Sequence, residues 1–300
     1  MDERECLAER FEEKRAHLRA VAYRMLGSVA EADDAVQEAW LRLSRSGANG
    51  IENLGAWLTT VVARVSLDML RSRKSKREES LGIHEREPVA QNESRHDPEH
   101  EALMADSIGV ALLVVLDRLT PPERLAFVLH DMFAVSFDEI APMIGRSPAA
   151  ARQLASRARR RVHGKTEGPI TNLNQQREIV TAFLTAVRAG DFDGLVAVLD
   201  PDVVVRIDEA AAVPGTPREI RGARNWAKGA INFSRGARFA EPMLVDGTVG
   251  LIFAPRGRLL RVLQFRFEHG NIAEVNIVGD PARLREFKLR VLDNLRTASS

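Results

Sequence analysis

A single cysteine, Cys6, excludes an internal disulfide framework and fits a reducing compartment. No stretch approaches eighteen consecutive apolar residues, and the first thirty residues are charged rather than signal-like. Neither membrane insertion nor export is expected, and the protein is expected to be cytoplasmic. Aromatic residues make up only 5% of the chain, with one tyrosine, Tyr23. No His or Cys cluster has metal-ligand spacing and no Gly-rich loop marks a nucleotide site, so neither metal nor cofactor is expected. There is no internal repeat. The formal net charge is only +1, but it hides strong segregation along the chain.

From Arg146 to Lys165 there is no Asp or Glu at all. This acid-free stretch follows Ser136 and Glu139, which have capping-box spacing, and Gly145, which breaks the helix they open. Ser147 is a good N-cap and Pro148 suits a first helical position, so a second helix is expected to run to about Val162. Ala151, Leu154, Ala155, Ala158 and Val162 make its narrow apolar stripe, while Arg152, Gln153, Ser156, Arg157, Arg159 and Arg160 take the other side. That division is what a helix-turn-helix recognition helix needs: one face packs, and the other offers forked donors to bases and phosphates.

A second basic cluster, Arg71 to Arg77, has five Lys or Arg in seven residues. Between the two lies Glu78 to Asp106, with nine acids against Arg86 and Arg95 and with Pro88, Pro98 and Gly82. It reads as a flexible acidic linker that phosphates would repel.

The chain divides into an all-helical first module over residues 1–77, the acidic linker over 78–107, a second helical module over 108–164, a short linker over 165–173, and an α+β domain over 174–300. The first module contains helices ending before Gly27, spanning Asp33 to Leu43, and spanning Leu54 to Leu70. Pro121 or Pro122 starts a helix in the second. In the α+β domain, helices over Gln175 to Ala189 and Phe192 to Leu199 precede strands at Val203 to Ile207, Arg238 to Val245, Val249 to Phe253, Leu259 to Glu268 and Ile272 to Val278. Only one face of Leu259 to Glu268 is strongly apolar, Gly270-Asn271 supplies a hairpin turn, and a helix over Pro281 to Arg296 closes the chain.

Three segments, AYRMLGSVAEADDAVQEAWLRL, NLGAWLTTVVARVSLDMLRSRK and LTPPERLAFVLHDMFAVSFDEIAPMIGRSPAAARQLASRARRRV, occur in this order. Through them the first 164 residues resemble the extracytoplasmic-function sigma factors, which hold only the second and fourth sigma regions. The resemblance implies that Asp33, Asp34, Gln37, Glu38 and Trp40 grip the clamp helices of the RNA polymerase β′ subunit, where carboxylates can face a basic coiled coil. It implies that the loop from Ser44 to Asn53 and the helix from Leu54 to Arg73 meet the minus-ten promoter element. Asn53 would frame a pocket for an unstacked base, Arg64, Arg71, Arg73 and Lys74 would hold phosphates, and Trp57 is either core or stacking platform. It implies that the second module reads the minus-35 element through Arg152, Gln153, Ser156, Arg157 and Arg160 and contacts the polymerase β flap.

The remaining residues, through FLTAVRAGDFDGLVAVLDPDVVVRID, IRGARNWAKGAINF and FEHGNIAEVNIV, resemble the SnoaL-like branch of the cone-shaped α+β fold. A sigma subgroup carries such a fused domain as its regulator. This chain departs from that subgroup's motifs, reading HEREP at His84 to Pro88, IDEAAAVPG at Ile207 to Gly215, and GDPARL at Gly279 to Leu284. Asp208, Glu209, Asp280 and Arg283 are the candidate regulatory contacts. A cyclase- or isomerase-like enzyme is the rival reading for this domain, but such chemistry wants an acidic base with a strong oxyanion donor, and the only tyrosine lies elsewhere.

The sequence therefore predicts a multidomain protein: two all-α DNA-binding modules followed by an α+β cone-shaped domain with room for a small ligand. It is read as a monomeric, non-catalytic promoter-specificity subunit of RNA polymerase. The alternative is a polymerase-independent helix-turn-helix regulator with a ligand-sensing domain.

Overall fold

The computed structural model describes residues 3–46, 50–80, 109–164, 170–213, 215 and 217–292. Nearly all of the acidic linker, part of the Ser44 to Asn53 loop and much of the second linker lie outside the described residues. The chain forms two compact units, one of Met1–Ile108 with Leu116–Arg160, the other of Gly109–Val115 with Arg161–Ser300. No described helix is long and apolar enough to cross a membrane.

The first unit begins with three packed helices, α1 (Glu3–Leu26), α2 (Val29–Ser46) and α3 (Leu54–Ser80). Phe11, Leu18 and Met25 of α1, Val36 and Leu43 of α2, and Leu58, Val62 and Leu67 of α3 are each at most 1% exposed. Gly27 takes the left-handed conformation (φ 73°) and its N–H reaches the Tyr23 carbonyl at 2.8 Å, which ends α1. Ser28 then accepts the Glu31 N–H at 3.4 Å as α2 opens, and Asn53 Oδ1 accepts the Ala56 N–H at 3.0 Å as α3 opens. The third helix continues well past Leu70, because its basic end meets partners: Arg73 donates to Glu31 at 2.8 Å and to the Leu26 carbonyl at 3.2 Å.

Against this bundle pack α5 (Pro121–Phe127), a π-turn (Val128–Met132), α6 (Phe137–Ile144) and α7 (Pro148–Val162). Thr120 and Glu123 form a capping box, as do Ser136 and Glu139, and Gly145 at φ 64° ends α6. Ser147 Oγ then accepts the Ala150 N–H at 3.3 Å to open α7 as expected. Arg124, 3% exposed, donates Nε to the Arg24 carbonyl at 3.1 Å, with Asp117 at 3.7 Å. Burial first, then the nearby Arg73 charge, lowers the Arg124 pKa to about 10, with Asp117 acting in the opposite direction. Phe133 stands edge-on to His17 (5.3 Å, 84°) and under the Arg24 guanidinium (5.1 Å). His17 Nε2 lies 3.3 Å from Thr59 Oγ1.

The second unit holds α4 (Val110–Leu116) up to Val115, α8 (Ile170–Ala189), α9 (Phe192–Ala197), α10 (Ala223–Ala230) and α11 (Pro281–Glu286). Its strands are β1 (Leu199–Ile207), β2 (Glu219–Arg221), β3 (Ala240–Val245), β4 (Thr248–Phe253), β5 (Arg261–Glu268), β6 (Asn271–Val278) and β7 (Leu289–Arg290). They form one sheet in the order β2-β1-β6-β5-β4-β3-β7, parallel between β1 and β6 and antiparallel elsewhere. One face packs on the helices through Val180, Leu195, Val205, Leu251 and Val275. Phe183 stacks on Trp226 (5.3 Å) and meets Phe265 edge-on (5.6 Å), so rings fill this interior.

The opposite face is apolar as well near β3 to β6, where Met243, Ile252, Val262 and Val278 are at most 1% exposed. Val262 lies on the face of Leu259 to Glu268 that is not strongly apolar in sequence; its burial shows that the sheet is covered on both sides there. Glu241 shares this face and accepts the Val110 and Ala111 N–H groups at 3.0 and 2.7 Å, tying down the start of α4. Gly257 makes room beneath the same helix, since a Cβ there would stand 3.1 Å from the Leu113 Cβ.

Two further expectations are corrected. The closing helix stops at Glu286, and Leu289–Arg290 pairs with β3 instead; the Lys288 N–H bonds to Asp246 at 2.8 Å and its carbonyl accepts the Asp246 N–H at 3.1 Å. An otherwise unpaired sheet edge wins over helical periodicity. The hairpin turn is His269-Gly270, both at positive φ (48° and 83°), and Asn271 already belongs to β6. The strand Glu219–Arg221, too short to carry a pattern, was not foreseen.

Two outcomes follow from the first unit. Arg124→Ala leaves the Arg24 carbonyl without its donor and opens a cavity, and should cost about 3 kcal/mol, or roughly 6 to 12 °C in a thermal melt. Burial, and secondarily Lys14, holds the His17 pKa below its ordinary 6.5. The unfolded chain then takes up this proton first, so stability is complete above about pH 6.5 and declines as pH falls through the depressed value. His17→Gln should flatten that decline in melts recorded from pH 7.5 to 5.

Candidate nucleic-acid interface

The α7 helix turns Ala151, Ala155, Ala158 and Val162 inward, each at most 1% exposed. Arg152, Gln153, Ser156, Arg157 and Arg160 are all exposed. At the α-helical repeat these five fall within an arc of about 140° opposite the buried stripe. The structure therefore brings every expected minus-35 residue onto one open face. Arg152 is held at its N-terminal end: the guanidinium lies 5.3 Å from the Phe137 ring, on which His130 stacks at 3.8 Å, while His130 Nδ1 lies 3.0 Å from the Val135 carbonyl oxygen. Arg159 sits at the edge and donates to Asp131 at 2.8 Å, fixing α7 to the preceding turn. The His130–Phe137 column and Asp131 were missed in the sequence, where nothing local signals a contact across a turn.

On α3, Trp57, Arg64 and Arg71 fall within about 40° of each other. Arg64 and Arg71 are exposed and Trp57 is half-buried. Among the described residues Arg71 has one loose ion-pair partner, Asp68 at 3.5 Å. Arg73 points the other way, into its contacts with Glu31 and Leu26, and burial lowers its pKa. Asn53 is exposed, but its side-chain oxygen is engaged in starting α3. The Lys74 side chain lies outside the described residues.

On α2, Asp34 and Gln37 are exposed, and Glu38 accepts from Arg42 at 2.9 Å. Leu41, 38% exposed, shares their face within about 100°, an apolar contact point the sequence reading passed over. Asp33 and Trp40 lie at the flank nearer α1. Asp33 pairs with Arg19 at 2.7 Å, and the Trp40 ring sits 5.0 Å from Phe11.

In the second unit, Asp208 accepts the N–H groups of Ala211, Gly279 and Asp280 at 2.8 to 3.0 Å. Asp280 caps α11 by accepting from Ala282 and Arg283, and Arg283 lies 3.7 Å from Asp208. These three form one loop-tying cluster. Glu209 stands apart, paired with Arg218 at 3.1 Å on the surface. No group of three His, Cys, Asp or Glu able to hold a metal ion occurs among the described residues.

Residues 11–76 match the Sigma-70 region 2 family, and residues 109–162 match Sigma-70, region 4. The chain is 45% identical over 219 residues to the ECF RNA polymerase sigma factor SigJ of Mycobacterium tuberculosis, covering 71% of this chain and 68% of that protein. It is 34% identical over 273 residues to the probable ECF RNA polymerase sigma factor SigI of the same organism, covering 90% and 92%. The crystal structure of M. tuberculosis SigJ aligns over 92% of this chain and 98% of its own, at 31% identity and a TM-score of 0.42. Two sigma-region matches do not favour a polymerase-independent regulator. The chain belongs to the extracytoplasmic-function (ECF) RNA polymerase sigma factors.

Proposed function

We propose that this sigma factor docks on core RNA polymerase through the outward face of α2, with Asp34, Gln37 and Glu38 against the basic β′ clamp helices and Leu41 in apolar contact. Asp33 and Trp40 support that face from the side. Trp57, Arg64 and Arg71 on α3 meet the minus-ten element, while α7 enters the major groove of the minus-35 element and its module also touches the β flap. The observation that carries the reading is the charge division between helices: the α2 face offers carboxylates and α7 offers arginines without a single acid. Carboxylates directed at DNA would meet like charge; directed at a basic coiled coil they steer association.

Arg73 is assigned to positioning α3 rather than to phosphates. The SnoaL-like domain is a non-catalytic modulator: Phe183, Trp226 and Phe265 pack its interior, and the Asp208 carboxylate is occupied by backbone N–H groups. The protein acts as a cytoplasmic monomer on polymerase.

Run-off transcription with core polymerase and a cognate promoter tests the whole reading; duplex binding without any transcript would overturn it. Asp34→Lys with Glu38→Lys should weaken core-polymerase association at least tenfold in a pull-down while leaving duplex binding unimpaired. Arg152→Ala and Arg157→Ala should erode discrimination between cognate and scrambled minus-35 duplexes, by about 1 to 3 kcal/mol for whichever makes a bidentate base contact.

A further inference from the structure

The second unit carries a concentration of charge of its own. From Ile220 to Ala240 there are five Lys or Arg and no Asp or Glu. Arg235 and Arg238, both exposed, belong to the turn that leads into β3. Arg188, from the last turn of α8, donates Nε to the Ala237 carbonyl at 3.1 Å and Nη2 to the Ala240 carbonyl at 2.8 Å, bringing a third guanidinium to the same turn.

Arg238 lies over the Phe239 ring at 4.6 Å, and Arg261, paired in register with Phe253, lies 5.9 Å from that ring. The two rings meet edge to face at 6.3 Å, and a Cβ on Gly236 would stand 3.6 Å from Phe253. Four arginines and two rings from four separate elements thus share one surface, and Phe233, just before it, is 50% exposed.

The acids nearest in sequence are turned to other tasks. Asp191 accepts the Gly194 N–H at 2.9 Å to cap α9. Glu241 lies on the opposite face of the sheet from Phe253 and holds the start of α4. Among the described residues no ion pair joins Arg188, Arg235, Arg238 or Arg261 to a carboxylate. Such clustered cations repel one another, and a polyanion is the partner that relieves the repulsion. Rings beneath guanidinium groups hold the forks in place while leaving N–H donors for phosphate oxygens.

We propose that this arginine–phenylalanine surface is a further nucleic-acid contact, gripping the phosphates of duplex DNA without reading bases. It is separate from the promoter contacts of α3 and α7. Binding of the full-length chain to a promoter duplex, measured by fluorescence anisotropy from 50 to 200 mM KCl, tests it. In Arg235→Gln/Arg238→Gln the log–log salt dependence should become shallower by about 1.8, since each phosphate contact contributes about 0.9.

The same fold-loss in affinity should appear on cognate and scrambled minus-35 duplexes, which separates this surface from α7. Arg235→Lys/Arg238→Lys should keep most of the slope. An unchanged slope in a Gln variant with wild-type melting temperature overturns the proposal. So does an equal loss in the Lys variant, which would mark the effect as structural. Weakened core-polymerase association with unaltered DNA binding also overturns it, by making the partner an acidic protein. Should the Gln variant melt early, Arg235→Gln alone should lose about half the slope change, and no change there is likewise fatal.

Discussion

The last carbonyls of a helix must find donors outside it, and α1 finds them in two distant arginines. Arg73 arrives from the end of α3 and Arg124 from a segment a hundred residues away in sequence. Both guanidiniums sit at the negative end of the α1 dipole, where cations are favoured. With Phe133 placed between His17 and Arg24, they join the first three helices and the helix-turn-helix into one unit. Such a contact is demanding rather than adhesive: burial lowers the Arg124 pKa, yet at about 10 the group stays charged at neutral pH and needs its carbonyl partner.

This arrangement decides which side chains remain available. The inward turn of Arg73 leaves the outward side of α3 to Trp57, Arg64 and Arg71. Arg159 anchors α7 through Asp131 and so leaves Arg152, Arg157 and Arg160 open. The sigma region 4 match begins at residue 109, yet Gly109–Val115 clusters with the second unit, where Glu241 binds the first N–H groups of α4. A single short helix therefore belongs to region 4 by sequence and to the α+β sheet by packing.

What the sequence disclosed was local. The helix start at Pro121 or Pro122, the capping box at Ser136, the Gly145 break and the apolar stripe of α7 each depend on residues within a few positions, and the elements appear where those signals stand. Long-range contacts were illegible. Nothing near Arg73 or Arg124 shows that their partners are carbonyls of α1, so one resembled a phosphate ligand and the other went unremarked. The alternation of β5 marked only one face as strongly apolar because periodicity cannot show what covers a sheet, and the closing helix was overextended because the open edge of β3 is invisible from Pro281 onward.

The merger of the amino-terminal bundle with the helix-turn-helix also sets a ruler against the promoter. Elements whose names place them about 25 base pairs apart are separated by roughly 85 Å of duplex axis. A unit of about 150 residues has a radius of gyration near 15 Å. If both elements are read at once, α1 must release Phe133 and Arg124, and the free energy of that separation is subtracted from whatever polymerase and DNA supply on binding.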